Sequence, residues 1–125
     1  MSCRPANVFI VDDSRVIQCL LEDMLSELPS ARLVGKAETA DEAIAGILQS
    51  HPDCVFLDLN LRQGTGLSVL QAVHPQAPEI VFVVMTNNEG ERYRQACMAA
   101  GADHFLDKTN ELGKLRYTLD CLDLK

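Results

Sequence analysis

Five times along this chain a short apolar run ends in polar residues and gives way to a segment whose apolar positions recur at helical spacing. The runs are Asn7–Val11, Ala31–Ala37, Val55–Leu59, Ile80–Met85 and Ala102–Leu106. Near-continuous apolar runs of this length, bounded by turn residues, read as strands buried on both faces. Helical segments follow each of them. The first is capped by Ser14 and carries Val16, Ile17, Leu20, Leu21, Met24, Leu25 and Leu28, and the second is capped by Thr39 or Asp41 and runs through Ile44, Ile47 and Leu48. Gly64-Thr65-Gly66 leads into a short third helix with Leu67, Val69, Leu70 and Val73; the fourth runs from Glu89 to Ala100 and stops at Gly101; the last covers about Glu111 to Leu122. Strict alternation of this kind predicts one α/β domain over residues 1–125, a single five-stranded parallel sheet with helices on both faces. Right-handed crossovers then bring the carboxyl ends of all the strands to one edge.

Composition narrows the function. A hydrophobic content of 47% with 5% aromatic residues and no Trp suits a core of Leu, Val, Ile and Ala. Eleven basic against eighteen acidic side chains give a net charge of −7, which repels nucleic acid phosphates and anionic membranes, so direct nucleic acid binding by this chain is not expected. No signal peptide is read at the N-terminus and no apolar run approaches the ~20 residues of a membrane span, so a cytoplasmic location and no membrane association are expected. The five cysteines are odd in number, and the closest pair, Cys3 and Cys19, is widely separated; they read as free thiols, mostly core residues, rather than a disulfide framework or zinc cluster. His51, His74 and His104 do not form a metal triad.

The chemistry is expected where the strand ends converge, because open parallel sheets bind ligands just beyond those ends. Asp12 and Asp13 follow the first strand, Asp58 closes the third, Thr86 follows the fourth and Lys108 the fifth. Three crowded carboxylates call for a divalent cation, and hard oxygen ligands that leave waters in place suit Mg²⁺. Lys108 offers a point charge for phosphate oxygens and Thr86 a hydroxyl hydrogen bond. These parts describe phosphoryl transfer to a carboxylate: Asp58 attacks, the metal neutralises charge, and Lys108 with Thr86 holds the transferring group. Singly, each residue has a plainer reading. Asp12 and Asp13 suit a helix N-terminus, Asp58 a turn, Thr86 a strand end and Phe105 a core position. Their ordered combination outweighs those readings.

That combination, together with Gly66 eight residues after Asp58 and Phe105 three before Lys108, resembles the receiver domains of two-component response regulators, of the CheY-like superfamily. The resemblance covers nearly the whole chain. It implies a flavodoxin-like, doubly wound (βα)5 fold with strand order 2-1-3-4-5. It implies that Asp58 is the phosphoacceptor, taking its phosphoryl group from the phosphohistidine of a sensor histidine kinase or histidine phosphotransfer protein. It further implies that Asp13, Asp58 and the backbone carbonyl of Asn60 coordinate Mg²⁺, with Asp12 acting largely through water. Thr86 and Phe105 are then the switch residues, and Asn60 and Asn88 influence how long the phosphoryl group persists. The chain would be a signalling phosphoprotein and not an enzyme, its own chemistry limited to self-phosphorylation and slow autodephosphorylation.

The switch is intelligible physically. A phosphoryl dianion beside Lys108 and Thr86 adds three strong acceptors, and drawing Thr86 inward leaves space for the ring of Phe105. The face made by the fourth helix, fifth strand and fifth helix, where Tyr93, Met98 and Tyr117 lie among Arg92, Arg94 and Arg116, would then bind a downstream protein or output domain. Two positions depart from the family: Thr109 stands where proline usually follows the lysine, and Arg62 where proline often stands four residues after the phosphoacceptor. An aspartate-nucleophile phosphatase or dehalogenase would want a second acid at position 60, where Asn60 cannot act as general acid. An unphosphorylated interaction scaffold with a vestigial site is the other alternative.

Overall fold

The computed structural model describes residues 6–27, 31–86 and 91–107. Among them are strands β1 (Ala6–Val11), β2 (Ala31–Ala37), β3 (Cys54–Asp58), β4 (Val81–Thr86) and β5 (His104–Asp107). Helices α1 (Arg15–Ser26), α2 (Ala40–Ser50), α3 (Gly66–Val73) and α4 (Glu91–Ala100) lie between them. The five strands form one parallel sheet in the order β2-β1-β3-β4-β5. The expected fifth helix, with Tyr117 and Arg116, lies outside the described residues.

The order puts β1 and β3 in the middle, and their sequences show it. All five residues of β3 are buried, whereas β2, at one edge, has only Ala37 fully buried. Alternate side chains of each central strand feed two cores. Val8, Ile10, Cys54, Phe56, Val83 and Met85 meet Leu21 and Leu25 of α1 on one face. Phe9, Val11, Val55, Leu57, Phe82 and Val84 meet residues of α2, α3 and α4 on the other. Each fully buried large side chain, such as Phe56 or Leu57, contributes roughly 1.5–3 kcal/mol through the water it sheds.

Local signals set the element ends. Ser14 caps α1, its hydroxyl accepting from the Ile17 N–H at 3.4 Å. Of the two candidate caps for α2 the structure selects Thr39, which accepts from the Glu42 N–H at 3.2 Å. Thr65 caps α3 in a reciprocal pairing with Ser68. Gly101 ends α4 with φ +117°, its N–H bonded to Met98 and that of Ala102 to Cys97, the pairing of a left-handed helix stop. That stop uses Ala102, so β5 begins at His104 rather than at Ala102. Similarly β4 begins at Val81, because the Ile80 N–H turns back to Ala77.

Not every apolar residue of α1 is buried. Val16 and Leu20 are 69% and 42% exposed, because the buried stripe of this helix runs through Gln18, Leu21 and Leu25 and leaves positions 16 and 20 on its flank. Cys19 lies on the same outer side and is exposed, unlike the buried thiols Cys54 and Cys97; Cys3 and Cys121 fall outside the described residues. Among the described residues no helix is long and apolar enough to cross a membrane.

Candidate functional site

Strands β1 and β3 are adjacent and in register, with Val11 opposite Leu57, so the residues that follow them meet at the carboxyl edge of the sheet. Asp12 and Asp58 continue the side-chain parity of Val8-Ile10 and Cys54-Phe56, which aims both carboxylates toward the α1 face. Each offers an oxygen, with one from Asp13, in a group whose members all lie within 4.8 Å of one another. Asp12 and Asp58 are buried, 0% and 2% exposed, while Asp13 faces solvent.

The backbone holds this cluster in place. Asp12 Oδ1 accepts from the Ser14 N–H at 2.8 Å and Asp58 Oδ1 from the Asn60 N–H at 3.2 Å, two short turns of the kind aspartate forms two residues ahead. The Asp12 N–H donates to the Ala37 carbonyl at 3.0 Å, extending the β1–β2 ladder past the last strand residue. Gln18, buried in α1, donates from Nε2 to the Asp12 carbonyl at 2.5 Å. Behind Asp58, the start of α3 presses so closely on the strand end that a Cβ on Gly66 would collide with the Asp58 carbonyl oxygen. Only glycine permits that approach.

Two buried carboxylates and a third at the surface repel one another unless a cation sits among them, and an all-oxygen set with one open side can hold a hard divalent ion. The donor set therefore fits a metal. Asn60 is exposed and bridges across the loop to Thr65. Thr86 is the last residue of β4, one beyond Met85, which pairs with Asp58. Phe105 pairs with Val84 in β5, is half-buried, and lies 5.2 Å from the Arg94 guanidinium carbon. The structure thus brings Asp12, Asp13 and Asp58 together, with Asn60 on the same loop and Thr86 on the neighbouring strand end. Lys108, Thr109 and Asn88 lie outside the described residues, as do the side-chain placements of Thr86, Arg92 and Tyr93.

Sequence reading passed over Gln18 and Glu38. Gln18 sits among apolar positions of α1, and a buried amide in such a stripe signals a polar partner. Glu38 follows the end of β2 as Asp12 follows β1, and the same edge argument applied to β2 finds it.

A parallel sheet with a carboxylate cluster outside its two central strands defines a class of α/β domain in which chemistry is done at the sheet edge. Within that class, the family model of the response regulator receiver domain matches residues 8–120. The chain belongs to this family, a component of two-component signalling. A protein-glutamate methylesterase/protein-glutamine glutaminase of Methanospirillum hungatei is 31% identical over 111 residues, 87% of this chain and 32% of that protein. The DNA-binding transcriptional activator DevR/DosR of Mycobacterium tuberculosis is 29% identical over 101 residues, 81% of this chain and 46% of that protein. In structure, the chain superposes on a protein of the CheX-CheY-BeF3-Mg complex from Borrelia burgdorferi with TM-score 0.87 at 21% identity, covering 98% of this chain and 92% of that one.

Two expectations change. The reading of the chain as a non-enzyme, with self-phosphorylation and slow autodephosphorylation only, is overturned by relatives named as protein-glutamate methylesterase/protein-glutamine glutaminase. This chain spans about a third of their length. Its residue pattern belongs to the part they share with it and is silent on what that part is joined to. The exclusion of nucleic acid also loses its support, since similar proteins include a DNA-binding activator and a regulator bound to promoter DNA. Net charge describes this chain alone.

Proposed function

We propose that the chain, as one receiver domain over residues 1–125, accepts a phosphoryl group on Asp58 and converts it into a change of surface. The observation that carries this reading is the meeting of buried Asp12, buried Asp58 and exposed Asp13 within 4.8 Å at the carboxyl edge of the sheet. Mg²⁺ is the ion this oxygen set suits: Asp13, Asp58 and the Asn60 carbonyl would hold it, with Asp12 acting through water, and bound there it would supply charge neutralisation for the incoming group. Asp58 contributes the attacking oxygen. Lys108 and Thr86 bind the phosphoryl oxygens, and Asn60 and Asn88 set how readily water reaches them. Thr86 and Phe105 carry the change to the face of α4, β5 and the final helix, where a downstream protein or a joined output domain responds. The donor is the phosphohistidine of a sensor kinase or histidine phosphotransfer protein, and the setting is the cytoplasm.

Intact-protein mass after incubation with acetyl phosphate tests the central step, with and without Mg²⁺, for the wild type and Asp58→Ala. A Mg²⁺-dependent, base-labile gain of one phosphoryl group that the variant loses is the expected result. No gain in a folded wild type that also fails to bind beryllium fluoride would sink the reading and leave an interaction scaffold in its place.

A further inference from the structure

Beside the acid cluster, an open polar groove of about 580 Å³ runs between α1, the end of β2 and the loop after β3, lined by Arg15, Gln18, Lys36, Glu38, Glu42 and Arg62 among others. Gln18, which lines it, donates to the backbone carbonyl of Asp12, so the groove abuts a residue that carries one of the clustered acids. Glu38 binds two arginines there. Its Oε1 lies 3.4 Å from Arg62 Nη1 and its Oε2 lies 4.0 Å from Arg15 Nε. Arg62 comes four residues after Asp58 and Arg15 three after Asp12, so both guanidiniums leave the backbone at the edge where the carboxylates meet.

The backbone around this pair is tied by hydrogen bonds, and the arginine side chains lie open to solvent. The Ala40 N–H donates to the Gln63 carbonyl at 2.9 Å, and Gly64 packs against Ala40, which ties the loop bearing Arg62 to the start of α2. The Glu38 N–H donates to Glu42 Oε1 at 3.2 Å. Yet the Arg62 side chain is 61% exposed, and an ion pair that open holds its partners only weakly. A phosphoryl dianion on Asp58 would present three acceptors to a guanidinium whose fork matches phosphate geometry.

We propose that Glu38 is a positioning residue that parks Arg62 beside the site, and that Arg62 transfers from Glu38 to the phosphoryl oxygens once Asp58 is modified. The proposal rests on the phosphoacceptor reading and adds two residues to it. Phosphorylation then breaks an ion pair just before α2, so the groove at the end of β2 senses the modification as well as the α4 side of the sheet.

Calorimetric titration with beryllium fluoride at saturating Mg²⁺ tests it on the wild type, Glu38→Gln, Arg62→Gln, Arg62→Lys and the Glu38→Gln/Arg62→Gln double variant, each first shown to melt cooperatively. Glu38→Gln is expected to tighten binding by about threefold to fivefold and Arg62→Gln to weaken it by a similar factor, with Arg62→Lys between Arg62→Gln and the wild type. The double variant should match Arg62→Gln alone, because the proposal routes the effect of Glu38 through Arg62 and not through its longer contact with the more exposed Arg15. Additive effects in the double variant would reduce Glu38 to a surface charge and overturn the proposal, as would unchanged affinity in the single variants. Failure of the wild type itself to bind would instead overturn the phosphoacceptor reading beneath it.

Discussion

The two edges of the sheet both carry aspartates, and they use them in opposite ways. At the amino edge Asp53 accepts from the Asn7 N–H at 2.8 Å and Asp103 from the Phe82 N–H at 3.0 Å. Both side chains belong to exposed residues, and each satisfies a backbone donor near the start of a strand. At the carboxyl edge Asp12 and Asp58 also accept backbone N–H groups, but they do so buried and within reach of each other and of Asp13. A backbone N–H bonded to the carboxylate is common to both edges. What separates them is crowding: solvated single acids stabilise strand ends, whereas buried clustered acids cost stability unless something positive joins them.

That contrast can be broken experimentally, and the largest effect belongs to the metal. Asp13→Asn should weaken Mg²⁺ affinity by about tenfold to a hundredfold while raising the metal-free melting temperature, since one of three repelling charges is gone. A lower metal-free melting temperature would make the carboxyl edge as structural as the amino edge. Next in size, Asp103→Ala should cost about 1 kcal/mol in denaturant unfolding by taking the partner of the part-buried Phe82 N–H, and Asp53→Ala less because water reaches the Asn7 N–H, with Mg²⁺ affinity untouched in both. Loss of Mg²⁺ binding in either variant would erase the distinction. The smallest effect is a pH dependence at the amino edge. Burial, then Asp103 and Asp53, pushes the Cys54 thiol well above its ordinary value of 9.0. Above about pH 9 the unfolded chain therefore sheds a proton that the folded chain keeps, and stability declines as pH rises. Cys54→Ala should flatten that decline in melting temperatures measured between pH 8 and 10.5.

Much of the carboxyl edge is legible in the sequence. The apolar run through Val55, Phe56 and Leu57 marks a central strand because such a strand is wetted on neither face, and the five residues of β3 are indeed all buried. Ser14 announces the start of α1 by local hydrogen bonding, which is written within three residues of chain. The convergence of Asp12, Asp13 and Asp58 followed from parallel strands sharing one edge. Other features left no local trace. Phe9 packs its ring against Gly35 and Gly46, where a Cβ on either glycine would crowd the ring, and a register shift between Val8 and Phe9 accompanies that fit. Nothing near Phe9 in the sequence names those partners. The exposure of Val16 and Leu20 is not written in the sequence either, because helical periodicity identifies a face but not its width.

By itself, the sequence determined the alternation of strands and helices, the acids at the strand ends and the family to which the chain belongs, because these depend on spacing and on short-range bonding. Only the tertiary structure decided that Asp53 and Asp103 serve backbone donors while Asp12 and Asp58 are buried side by side. Only it could set Glu38 between Arg15 and Arg62. Solvation and charge pairing depend on which distant segments come to lie against one another, and that is fixed when helices dock on the two faces of the sheet.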